Sequence, residues 1–161
     1  MPNRNWLDRF LPKSQSKTVF IFTMTCYTFT LHYIVARLIW LFGFSPTSNR
    51  SITSTPIVPL LIAPVVESFV VIGLIELVRR LKFKLAVQIA VPVLVSCFLE
   101  SPLQPFWGIR SAPLFFIGAA SYIYWRGVSF WTAAQIVILL HFFYNALVFL
   151  NVTARWLHPA S

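Results

Sequence analysis

With 161 residues, 58% of them hydrophobic and only 11% charged, and a mean hydropathy of +0.75, the chain falls outside the ordinary soluble class, in which about a quarter of residues are charged. A formal charge of +9 would suit a nucleic-acid binder, but the basic residues gather at the ends of apolar runs rather than along an aromatic, solvent-facing surface. What remains is an integral, multi-pass protein of a bacterial-type inner or plasma membrane, with its basic ends meeting anionic lipid.

In chain order, residues 1–17 form a basic N-terminal segment that carries Arg4, Arg9, Lys13 and Lys17 beside Asp8 and Pro12. No small-residue cleavage site follows, so the first apolar run is expected to be an uncleaved span rather than a signal peptide. Five spans are predicted against the ~20 residues that cross ~30 Å of hydrocarbon: Thr18–Phe44, Ile57–Val78, Leu85–Leu99, Trp107–Trp125 and Phe130–Leu150. The polar stretch Ser45–Thr55 separates the first two, and Pro92 predicts a kink in the third. The expected architecture is a single all-α transmembrane bundle over residues 18–155, with no soluble domain and no repeat. Cys26 and Cys97 both lie inside apolar runs, where buried small apolar roles are expected and neither disulfide nor metal spacing applies. Trp107, Trp125 and Trp131 fall near span ends, as interfacial aromatic belts do.

Orientation follows from counting. With the N-terminus cytoplasmic, one side holds Arg4, Arg9, Lys13, Lys17, Arg79, Arg80, Lys82, Lys84 and Arg126, and the other holds Arg50, Arg110 and Arg155. Nine against three predicts the N-terminus inside. Asn49 and Asn151 each open a glycosylation-type triplet on the predicted outer side, a pattern frequent by chance.

Ionisable residues at bilayer depth are costly and mark sites. Glu67 lies ~15 Å into the second span from its outer end, and His141 lies ~16 Å into the fifth from its inner end, at helical rise. Both therefore reach the midplane. Asn145 is one helical turn from His141 on the same face, so one cavity between neighbouring helices would hold all three. A carboxylate with an imidazole binds a metal or positions a water for general-base attack; equally, the three form a hydrogen-bond cluster that only fixes helix packing. Glu76, on the face opposite Glu67, reads as a local ion pair with Arg79 and Arg80. His32 and Arg37 lie about 140° apart on the first helix, and Arg37 calls for a partner in the bundle or an aqueous pocket. Glu100 either snorkels to water or supplies a further ligand.

Two segments carry a family resemblance. Ala63-Pro64-Val65-Val66-Glu67-Ser68-Phe69-Val70-Val71-Ile72-Gly73 resembles the first motif, A-P-x-x-E-E-x-x-x-R-G, of the CPBP family, the CAAX-processing and bacteriocin-processing-like intramembrane proteases. Tyr124-Trp125-Arg126-Gly127-Val128-Ser129, leading to His141-Phe142-Phe143-Tyr144-Asn145, resembles the family's closing region, where a Y-x-R-x-G-S-like turn precedes an H-x-x-x-N helix. The resemblance covers residues 57–150. It implies peptide-bond hydrolysis within the membrane on a membrane-proximal peptide, with Glu67 activating water, His141 binding zinc or stabilising the intermediate, Glu67 and His141 as the metal ligands, and Asn145 supporting the oxyanion. Ser68 stands where the family has its second glutamate, Ile72 where it has arginine, and Phe98-Leu99-Glu100-Ser101-Pro102 has no histidine where F-x-x-x-H belongs. Two ligands fall short of the three that a catalytic zinc takes, and Glu100 sits ~23 Å from the inner surface, out of the layer. The competing expectation is a non-catalytic member of the fold, a subunit or assembly factor of a larger membrane complex. A small transporter fits poorly, since five spans lack repeat symmetry.

Overall fold

The computed structural model describes residues 16–43, 58–101 and 106–157. These residues form five α-helices with no strand among them: α1 (Lys17–Leu41), α2 (Ala63–Arg80), α3 (Leu85–Glu100), α4 (Trp107–Trp125) and α5 (Phe130–Leu157). Residues 1–15, including the basic N-terminal segment, and the polar stretch Ser45–Thr55 lie outside the described residues, as does the C-terminal tail from residue 158.

Local chemistry sets the helix ends. Ser16 caps α1, and the Ser129 hydroxyl accepts from the Thr132 backbone N–H at 3.0 Å to open α5. α2 is entered through a five-residue π-helical turn, Val58–Ile62. The turn precedes Pro64, which has no N–H and whose ring crowds the carbonyl four residues back, and so disfavours regular α geometry there. Pro64 itself sits at the start of α2, where the missing N–H costs nothing. α2 ends with Lys82 in the left-handed region at φ 58, with Lys82 N–H on Arg79 O at 3.0 Å and Phe83 N–H on Val78 O at 3.3 Å. This is a Schellman cap with lysine at the position that glycine usually fills.

The helices pack as an arc of four, in the spatial order α1, α5, α2, α3, around α4. α4 is the centre: Gly108, Ser111, Leu114, Phe115, Gly118, Ala119, Ala120, Ser121, Tyr122 and Trp125 are all buried along it. Its small residues permit this close approach, as in other bundles lacking water to drive association. At Gly108 the approach is extreme, since a Cβ there would lie 2.0 Å from the Cys97 carbonyl oxygen of α3. The core around α4 joins Phe20 and Met24 of α1, Ile72 and Ile75 of α2, Ile89 of α3, and Ala133, Ile136, Val137 and Leu140 of α5.

Outward, the bundle presents large apolar side chains such as Phe22, Leu94, Phe98 and Trp131. Three helical stretches are long and apolar enough to cross a membrane: Lys17–Leu41, Leu60–Arg80 and Phe130–Asn151. Two of the five predicted spans are different in kind. Leu85–Glu100 has 16 residues and extends ~24 Å at helical rise, less than the hydrocarbon layer. Trp107–Trp125 matches its predicted bounds but is the interior helix, and Trp125 is buried rather than part of an aromatic belt. Cys26 is exposed, contrary to the buried role expected for it, and Cys97 is half-buried.

Candidate functional site

The arc places α2 beside α5, so the two ionisable residues that the sequence singles out, Glu67 and His141, meet. His141 Nε2 lies 3.3 Å from Glu67 Oε2. The two differ sharply in surroundings: the His141 side chain is 5% exposed, whereas the Glu67 side chain is 39% exposed. Helical geometry accounts for this, because Glu67 sits at the edge of the α2 face whose next residue, Ser68, points inward and is buried.

On its other nitrogen His141 meets Ser68, with Ser68 Oγ 3.4 Å from His141 Nδ1. The imidazole is therefore flanked by two consecutive residues of one helix. Phe115 of α4 stands edge-on to it, ring centroids 6.2 Å apart and planes at 90°. Beside Ser68 and His141 is a void of about 10 Å³, lined also by Val71, Leu114, Phe115, Gly118, Val137 and Leu140. That is room for about one water molecule. Asn145 is half-buried one turn further along α5 and does not line this void.

Among the described residues no three His, Cys, Asp or Glu side chains gather as a metal-binding group. Glu100 therefore does not complete a ligand set with Glu67 and His141. Two donors do not match the three protein ligands of a catalytic zinc.

Two further polar clusters lie at opposite ends of the bundle, and sequence spacing revealed neither in full. At the end where α2 and α4 finish, Glu76 pairs with Arg79 as expected, but it also reaches across to the core. Its Oε1 accepts from Tyr122 Oη at 2.8 Å and from Arg126 Nε at 2.9 Å, while Arg79 bonds Oε2. Hydrogen bonding to Glu76 pushes the Arg126 guanidinium further above its ordinary value. The available signal was the i, i+4 placement of Tyr122 and Arg126 at the depth of Glu76.

At the other end His32 is buried, with Nδ1 2.9 Å from the Arg110 carbonyl oxygen and 2.6 Å from Tyr144 Oη, and Nε2 3.5 Å from Arg110 Nη2. Arg37 is exposed; it donates to Tyr33 Oη at 3.1 and 2.9 Å and lies over the Tyr33 and Trp40 rings of its own helix.

Compared with known proteins, the chain matches no family model, no curated protein and no solved structure.

Proposed function

We propose that the chain is a CPBP-like intramembrane protease-family protein whose five-helix bundle lies in the bilayer with the N-terminus inside, and that Glu67 and His141 form its hydrolytic pair. The observation that carries this reading is the 3.3 Å contact between Glu67 and His141. Residues far apart in sequence, each at the depth where an ionisable group is costly, have been brought together. The orientation rests on the basic residues: Arg79 and Arg126 share the Glu76 end, beside the turn carrying Lys82 and Lys84, where an anionic leaflet stabilises them.

In this reading the Glu67 carboxylate takes a proton from a water, whose oxygen attacks the carbonyl carbon of a membrane-proximal peptide bond. The tetrahedral intermediate collapses as the C–N bond breaks, and Glu67 returns the proton to the departing amine. His141 holds the carboxylate in place from the protein side. Asn145, by the resemblance, donates to the oxyanion. The half-exposed position of Glu67 is what lets a substrate approach without entering the core.

A second reading is favoured by two observations: the void beside His141 has room for about one water, and among the described residues the donor set has no third ligand. On that reading the chain is a non-catalytic subunit or assembly factor, and the Glu67–His141 contact only locks α2 to α5.

One experiment separates them. Protein reconstituted in liposomes is given fluorogenic peptides anchored at the bilayer surface, and Glu67→Gln is compared with wild type. A loss of about 100-fold to 10,000-fold, the range for removing a general base, with folding retained, supports the hydrolase. Absence of any hydrolysis by folded wild-type protein across the peptide set supports the subunit.

A further inference from the structure

Two buried histidines sit in this bundle, and their partners assign their protons to opposite nitrogens. A neutral imidazole carries one N–H and one lone pair, and the hydrogen bond made by one nitrogen fixes the other. At His32, the Arg110 guanidinium has only hydrogens to offer, so Nε2 facing it at 3.5 Å is the acceptor. Nδ1 then carries the proton, donating to the Arg110 carbonyl at 2.9 Å, with the Tyr144 hydroxyl oxygen also in reach at 2.6 Å.

At His141 the logic runs the other way. In the reaction proposed above Glu67 is an ionised carboxylate and accepts only, so His141 Nε2, 3.3 Å from it, is the donor. The remaining lone pair is on Nδ1, and Ser68 Oγ at 3.4 Å is the group that fills it. The serine hydroxyl therefore does what a second carboxylate at the same place could not do once ionised: it donates. A carboxylate there would draw a proton to Nδ1 as well and favour an imidazolium.

We infer that Ser68 is a positioning residue that fixes His141 as the Nε2–H tautomer, and that this makes Glu67 the pair's only proton acceptor toward water. Both halves of this statement take Glu67 as the ionised carboxylate of the hydrolase reading; with that charge state the contacts assign the tautomer. A direct nucleophilic role for Ser68 is disfavoured by magnitude. It is 1% exposed, and the adjoining void of about 10 Å³ cannot admit a peptide carbonyl with its flanking chain.

The test is ¹⁵N NMR of the full-length protein, labelled at histidine and carried in lipid nanodiscs. His158→Gln removes the third histidine signal, and His32→Gln assigns the remaining two. In the resting protein His141 is expected to show a protonated Nε2 and a bare Nδ1, and His32 the reverse. Ser68→Ala is expected to draw the two His141 nitrogen shifts toward each other as the tautomers mix, leaving His32 unchanged. Ser68→Thr, whose added methyl has the adjoining void to enter, is expected to restore the separation. A protonated Nδ1 on His141 in the wild-type protein, or His141 shifts that Ser68→Ala leaves in place, overturns the inference. If the tautomers come out as stated while the liposome assay finds no hydrolysis, Ser68 still positions His141 and it is the hydrolase reading that fails.

Discussion

Tyr122 Oη donates to Glu76 Oε1 at 2.8 Å, and this bond ties the end of α2 to the end of the central helix α4. The same oxygen also accepts from Arg126 at 2.9 Å, so one carboxylate gathers donors from three residues: Arg79 on α2, Tyr122 on α4 and Arg126 just beyond the end of α4. A hydrogen bond to a charged group contributes about 1.5–3 kcal/mol. Tyr122→Phe is expected to lose an amount in that range, and Glu76→Gln at least as much. Because both changes act on one network, the double variant should lose less than the sum. Unfolding of the detergent-purified protein with increasing SDS measures all three; additive losses would show that Tyr122 and Glu76 are not coupled.

Activity, if the hydrolytic pair operates without metal, should survive exhaustive dialysis against a chelator. Elemental mass spectrometry of the same samples should find no metal that disappears in Glu67→Ala and His141→Ala. One zinc per chain, lost in both variants together with hydrolysis, would mean that a ligand beyond the described residues completes the site.

Gly108 marks a close crossing of α3 and α4. A methyl group there meets the Cys97 carbonyl at 2.0 Å and Ser101 Oγ at 2.7 Å, and the first of these is backbone that cannot swing away. Gly108→Ala should separate α3 from α4 and cost about 1–3 kcal/mol, the usual range for overpacking. Gly73, whose Cβ would meet nothing within 4 Å, is the control. Gly73→Ala should leave the crossing intact and raise stability slightly through better helix propensity. Equal losses in the two variants would contradict the packing argument.

Lys82 occupies a left-handed cap at φ 58, a conformation that costs an L residue roughly 1–2 kcal/mol and costs glycine almost nothing. Lys82→Gly should therefore stabilise the α2–α3 turn by about 1 kcal/mol. The same SDS titration reads the gain. A loss of stability instead would mean that the lysine charge at this end outweighs the backbone strain.

Most of the architecture was legible because apolar run length is a one-dimensional property: all five helices lie where the hydrophobic segments do. The meeting of Glu67 with His141 was legible for a related reason, since depth can be counted along each span and only adjacency had to be supplied. Other features needed the third dimension. Trp107–Trp125 reads as one more span, yet its glycines, alanines and serines make it the interior helix, which shows only once four neighbours surround it. Glu76 was half legible: the i+3 contact to Arg79 follows from helix periodicity, whereas the contact to Tyr122 depends on which faces of α2 and α4 oppose each other. The contacts of Arg37 with Tyr33 and Trp40 of its own helix depend on side-chain conformation that spacing alone does not give.

The burial of α4 carries a consequence for biogenesis. A helix rich in small and hydroxyl-bearing residues, with Arg110 near its start, gains little from lipid tails and much from neighbouring protein, so it has weak reason to partition alone as it leaves the insertion machinery. Only residues 126–129 separate it from the strongly apolar α5, which points to lateral release of the two as a hairpin. A single cysteine placed in α4 should be open to a membrane-impermeant thiol reagent in chains truncated after residue 129 and protected in chains extended through α5.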